Sequence, residues 1–146
     1  MTITRVLVAH DAGARMFENR GPGKGLTALG AVDFEDGRRH TGELIDDRGG
    51  RGHGGGSVAN AYEPAHDARE HAIAHFAREL AKDLARDFRK GAFTQLVLVA
   101  PPRFLGVLRG ALDGPLSRVL VASVPKDLPR ASARELCDHL ATYLAC

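Results

Sequence analysis

Cysteine is scarce: Cys137 and Cys146 are the only two in 146 residues. So few, so close together and so near the end do not make a disulfide framework. Cys137 reads as a small apolar helix residue and Cys146 as a free thiol, which fits a reducing, cytoplasmic setting. Long hydrophobic runs are also missing. Met1-Thr2-Ile3-Thr4-Arg5 enters a short strand directly, with no signal-peptide core, and no segment approaches bilayer-spanning length. A strong charge bias is lacking too, since the formal net charge is only +2. Overall charge therefore does not announce nucleic-acid binding, and a basic footprint has to be local. Tryptophan is absent.

Several chemical signatures are missing as well. No Gly-Lys-Ser/Thr follows a buried strand, so the glycine-rich stretch is not a P-loop. His66, His71 and His75 lack the His-Glu-x-x-His order, and they read as surface histidines rather than zinc ligands. Ser57 and Ser132 lie in no nucleophile elbow. No metal or cofactor is expected.

What remains is ordinary globular composition, 44% apolar and 26% charged, at a length that buries one core without staples. Arg5 to His10 is a continuous apolar run, expected to be a buried central strand. Asp11-Ala12-Gly13 turns the chain into a returning strand, Ala14 to Asn19. A third strand covers Leu26 to Phe34. Residues 36–65 show no apolar period and predict a long, flexible Gly/Arg-rich loop.

Helical periodicity begins at His66 and runs to about Arg89, with Ile73, Phe76, Ala77, Leu80, Leu84 and Phe88 on one face. Leu96 to Ala100 is a fourth strand, cut off by Pro101-Pro102. A short helix runs from Phe104 to about Leu112, and Val119 to Val124 is the fifth strand. Ser132-Ala133-Arg134-Glu135 is a capping box opening a last helix that turns Leu136, Leu140 and Leu144 inward. The order β-β-β-α-β-α-β-α predicts one α/β domain over 1–146. Its architecture is a three-layer, five-stranded mixed sheet of ribonuclease-H-like topology.

Such a sheet invites comparison with nucleases, which gather carboxylates from several strand ends around paired metal ions. Here strand four exits on Pro101-Pro102, and Asp11 is explained as a turn residue, which argues against that chemistry. Two cationic features point elsewhere. The loop Arg48-Gly49-Gly50-Arg51-Gly52-His53-Gly54-Gly55-Gly56-Ser57 offers backbone N–H groups and guanidinium charge to an anion. On the long helix His71, His75, Arg78, Lys82, Arg86 and Arg89 form a stripe opposite the apolar face, alongside Glu79, Asp83 and Asp87 at pairing distance. Arg103 falls at the carboxyl end of strand four, where open α/β sheets place ligand sites.

Several segments together resemble the bacterial host attachment protein family, named for a role in attachment to host cells. They are Val6-Leu7-Val8-Ala9-His10-Asp11-Ala12-Gly13-Ala14-Arg15-Met16-Phe17, Asp46-Asp47-Arg48-Gly49-Gly50-Arg51, Phe76-Ala77-Arg78-Glu79-Leu80, Leu96 to Gly106, and Lys126-Asp127-Leu128. That family is similar to the middle domain of archaeal and eukaryotic peptide-chain release factors, where a Gly-Gly-Gln tip precedes a long helix. Gly54-Gly55-Gly56-Ser57 stands in the comparable place without the glutamine. The resemblance implies a non-catalytic, RNA- or ribosome-associated domain with a translation-related role. Arg48, Arg51, Arg78, Lys82, Arg86 and Arg103 would contact phosphate, with Gly54, Gly55, Gly56 and Ser57 at the loop tip. The expectation is that loop and helix cations make one positive face. Two alternatives stand beside it: a cell-surface attachment protein, and a hydrolase with its site at the end of strand four near Arg103 and Lys126-Asp127.

Overall fold

The computed structural model describes residues 1–34 and 58–146, with side chains from 58 to 65 left out of the description. Five strands form one sheet: β1 (Thr4–His10), β2 (Gly13–Asn19), β3 (Thr27–Asp33), β4 (Gln95–Ala100) and β5 (Leu120–Pro125). Their spatial order is β3-β2-β1-β4-β5. Strand β2 pairs antiparallel with both β1 and β3, and β1, β4 and β5 are parallel. The helices are α1 (Val58–Arg89), α2 (Pro102–Ala111), α3 (Gly114–Val119) and α4 (Ala133–His139). The result is the five-stranded mixed sheet, covered by helices on both faces, that the succession of elements predicts.

The apolar runs explain which strands are central. In β1 the residues Val6, Leu7, Val8 and Ala9 are all fully buried, and in β4 so are Leu96 to Ala100. Alternation along each strand sends Leu7, Ala9, Leu96 and Leu98 towards α1 and α2, where they meet Phe76, Leu80, Leu84 and Leu108. Val6, Val8, Val97 and Val99 face α4 and pack on Leu136 and Leu140. Each such side chain contributes about 1.5–3 kcal/mol of burial, so a central strand apolar on both faces is what the sequence must supply. At the far edge, β3 is exposed throughout.

Local chemistry sets the ends. Ser132 and Glu135 close their capping box reciprocally, 3.1 and 2.9 Å. Gly13 is needed where it stands, because a Cβ there would collide with the Val32 carbonyl oxygen of β3. Asn19 is buried and ties the following turn together through the carbonyls of Gly21 and Gly25.

The main departures from the sequence reading are three element ends and the state of the cysteines. The long helix begins at Val58, ahead of His66, and runs through Pro64; alanines at 59, 61 and 65 favour helix although they create no apolar stripe. Helix α2 begins at Pro102, not Phe104, because a proline at the first helical position gives up an N–H that is unpaired anyway. Asp113-Gly114-Pro115 does not merely stop a helix. Asp113 caps the short helix α3 by accepting the Leu116 N–H at 2.9 Å. The cysteine expectation is corrected outright: Cys137 and Cys146 are joined as a disulfide, Cα atoms 5.7 Å apart. The chain turns back after α4, and the Cys146 carbonyl accepts the Gly25 N–H, which holds the segment against the β2–β3 turn.

Candidate functional site: two flanks of a long helix and a cleft at the strand ends

Helix α1 buries one face and shows cations on both flanks of what remains. On one flank, Arg78, Lys82 and Arg89 line a groove of about 330 Å³. The groove exists because the residues between them, Ala81, Ala85 and Ala111, are small. One carboxylate, Asp113, lies at its edge, occupied in capping α3. Lys82 also lies 3.5 Å from Glu79, an exposed pair that holds it only weakly.

The other flank is neutralised. Arg86 is ion-paired with Asp83, and both line a cleft against β3 together with Arg5 and Asp87. Arg5 is a buried charge on β1, with its side chain 5% exposed against 37% for Asp87, which it meets at 2.9 Å. Its guanidinium carbon also sits 4.8 Å over the Phe93 ring. Asp87 is thus spent on stabilising Arg5 and does not pair along the helix, whereas Glu79–Lys82 and Asp83–Arg86 make the expected i,i+3 pairs.

A second candidate lies at the carboxyl ends of the parallel strands. From β1 the chain turns one way into β2, and from β4 it crosses the other way through α2 towards β5. Open α/β sheets bind ligands where the connections diverge like this. A cleft of about 280 Å³ opens there, lined by His10 and Asp11 at the end of β1, Arg103 and Phe104 on α2, and Arg69 and Ile73 on α1. Phe34 forms its apolar back: its ring stacks on Phe76, centroids 4.4 Å apart, and its N–H donates to the Ala12 carbonyl at 2.9 Å. Arg103 is ion-paired with Glu70 across the rim.

His10 is fixed electronically as well as sterically. Its Nδ1 accepts the Ala12 N–H at 3.1 Å, so the neutral ring carries its proton on Nε2. Burial lowers its pKa below the ordinary 6.5; Arg15 also lowers it, and the carboxylates Asp11, Asp127 and Asp33 oppose the shift. At neutral pH His10 is a hydrogen-bond donor beside the Asp11 acceptor. On the other face of the sheet a wider cleft of about 600 Å³ runs from His10 and Asp11 to Asp127, Arg130 and His139. Arg15 holds its far wall by donating to the carbonyls of Leu128 and Ala131, 2.8 and 2.7 Å. Lys126 Nζ donates to His139 Nδ1 at 3.1 Å.

The sequence-derived site residues therefore fall in different places. Arg48, Arg51, Gly54, Gly55, Gly56 and Ser57 lie outside the described residues. Arg78 and Lys82 share one groove, Arg86 is on the opposite flank, and Arg103 is at the strand-end cleft. His10, Arg69 and Phe34 were not singled out as site residues. The ends of β1 and β3 already marked His10 and Phe34, but only the strand order shows that these ends meet α1.

A family model described as "Protein required for attachment to host cells" matches residues 5–140. The chain belongs to that family. The matched span of this host attachment family protein contains every described element from Arg5 of β1 through α4. No curated protein matches it. Among solved structures it is similar to the crystal structure of an archaeal translation termination factor, with a TM-score of 0.46 and 12% identity. That similarity covers 96% of this chain and 38% of the other, so the chain spans well under half the length of that protein. Among the described residues, no helix is long and apolar enough to cross a membrane.

Proposed function

We propose that this host attachment family protein is a non-catalytic RNA-binding domain that associates with the ribosome in a translation-related role. The phosphate backbone lies along the α1–α2 groove. One observation carries the reading: Arg78, Lys82 and Arg89 line a single groove whose one lining carboxylate is engaged as a helix cap. Three converging cations displace condensed counterions from a polyanion together, and scattered cations do not. Arg86 and Arg103 contribute less, since each lies outside the groove. Arg48 and Arg51, outside the described residues, complete the proposed phosphate contacts.

The binding is salt-sensitive and indifferent to base sequence. The three groove contacts on a single strand contribute about −2 to the slope of log affinity against log salt. Co-sedimentation with ribosomes at low ionic strength, lost on raising salt, is the expected result; no association at low salt rejects the reading. The family's description favours a second reading, contact with a host-cell surface component. Recovery of the intact protein from the cell exterior supports it, and recovery from the cytosol alone counts against it.

A further inference from the structure

The cleft between β1, β4, α1 and α2 is a separate site from the groove, and its lining has a different character. Its back is apolar and aromatic, made by Phe34, Ile73 and Phe104. Its rim carries two guanidinium groups, Arg69 and Arg103. His10 and Asp11 add a donor and an acceptor side by side, because the Ala12 N–H occupies Nδ1 and leaves the Nε2 proton to donate. A ligand complementary to this lining is flat and apolar on its faces, has mixed donors and acceptors on one edge, and bears an anionic group a few bonds away.

The volume narrows the choice. About 280 Å³ is at the small end of ligand pockets, enough for one heteroaromatic ring system and an attached sugar but not for a dinucleotide. We propose that this cleft binds a nucleoside monophosphate, with its base against Phe34, Ile73 and Phe104 and its phosphate at Arg69 and Arg103. Glu70 holds Arg103 at the rim through their ion pair, whereas Arg69 has no ion pair among the described residues and meets the phosphate directly. Guanidinium groups suit this role because their planar N–H fork matches phosphate oxygens. The site sits where diverging connections leave an open crevice. It uses no residue of the α1–α2 groove.

The test is an amide NMR titration of the full chain with AMP, GMP, CMP and UMP to about 5 mM, the range of weak specific binding. Inorganic phosphate and adenosine serve as single-group controls. Saturable shifts at His10, Arg69, Ile73 and Val107 are expected from nucleotides, with each control at least about tenfold weaker because it makes only half the contacts. Arg69 is exposed, so Arg69→Ala leaves the fold intact; it weakens nucleotide binding about tenfold and leaves adenosine unchanged. Val107→Trp, which fills the cleft, removes binding of both. The combined variant Arg78→Ala, Lys82→Ala, Arg89→Ala keeps full nucleotide binding, which separates this proposal from the groove reading. Nucleotide shifts absent from the cleft, or inorganic phosphate binding as well as AMP, overturn it.

Discussion

The two flanks of α1 carry the same residue types and have different fates. Arg86 and Asp83 close on each other, and Asp87 turns inward to the buried Arg5; charge on that side is spent within the fold. Across the helix, Arg78 and Arg89 line a groove with Lys82, floored by alanines and edged by a single engaged carboxylate. A stripe drawn on a helical wheel treats these cations as equivalent. Packing makes them unequal, because the cleft on one flank is lined by Asp83 and Asp87 beside its cations, whereas the groove on the other has a single lining carboxylate, which caps α3.

The comparison can be broken most severely at Asp87. Asp87→Ala strands a guanidinium that is 5% exposed, and the expected loss is about 3 kcal/mol in a urea unfolding titration. RNA affinity of the folded fraction should not change. Arg5→Met should cost less, since a half-exposed carboxylate can rehydrate and an apolar side chain can fill the place beside Phe93. Equal losses would mean that the pair is not asymmetrically buried.

On the groove flank, Arg78→Ala, Lys82→Ala and Arg89→Ala together should leave stability within about 0.5 kcal/mol, as exposed substitutions do. They should lower RNA affinity about tenfold or more at low salt. Arg86→Ala, its counterpart on the other flank, should change affinity less than about twofold. The smallest effect is expected at the strand ends. His10 is neutral in the folded state and its pKa is lowered by burial, so below the ordinary value the unfolded chain binds more protons than the folded one. Stability should therefore decline as pH falls from about 6.5 into the range of the lowered pKa, and be flat above. His10→Gln should flatten that part of the profile, read as the denaturation midpoint against pH.

The sequence carried the sheet more fully than the site, for a physical reason. Short, valine-rich apolar runs such as Val6–Ala9 and Leu96–Ala100, bounded by turn residues, suit strands buried on both faces, so the centre of the sheet was legible. The capping box at Ser132 was equally plain, because its signal is local. The start of α1 was not, since alanines and a proline ahead of His66 make no stripe. The Cys137–Cys146 disulfide was missed because spacing alone does not reveal that the chain doubles back after α4. At the site, Arg103 was placed correctly at a strand end, but its partner Glu70 comes from a helix 33 residues earlier. The division of Arg78 from Arg86 depends on which neighbours carry carboxylates and which carry alanines, a property of packing that periodicity does not encode.

The most direct measurement is the salt dependence of RNA affinity for the unaltered chain, the triple groove variant and Arg86→Ala, recorded side by side. A groove that holds phosphate predicts a slope about 2 units shallower for the second than for the first, and for the third a slope close to that of the first. If the triple variant and the unaltered chain share one slope, the groove does not hold the backbone, and this account of the protein is contradicted.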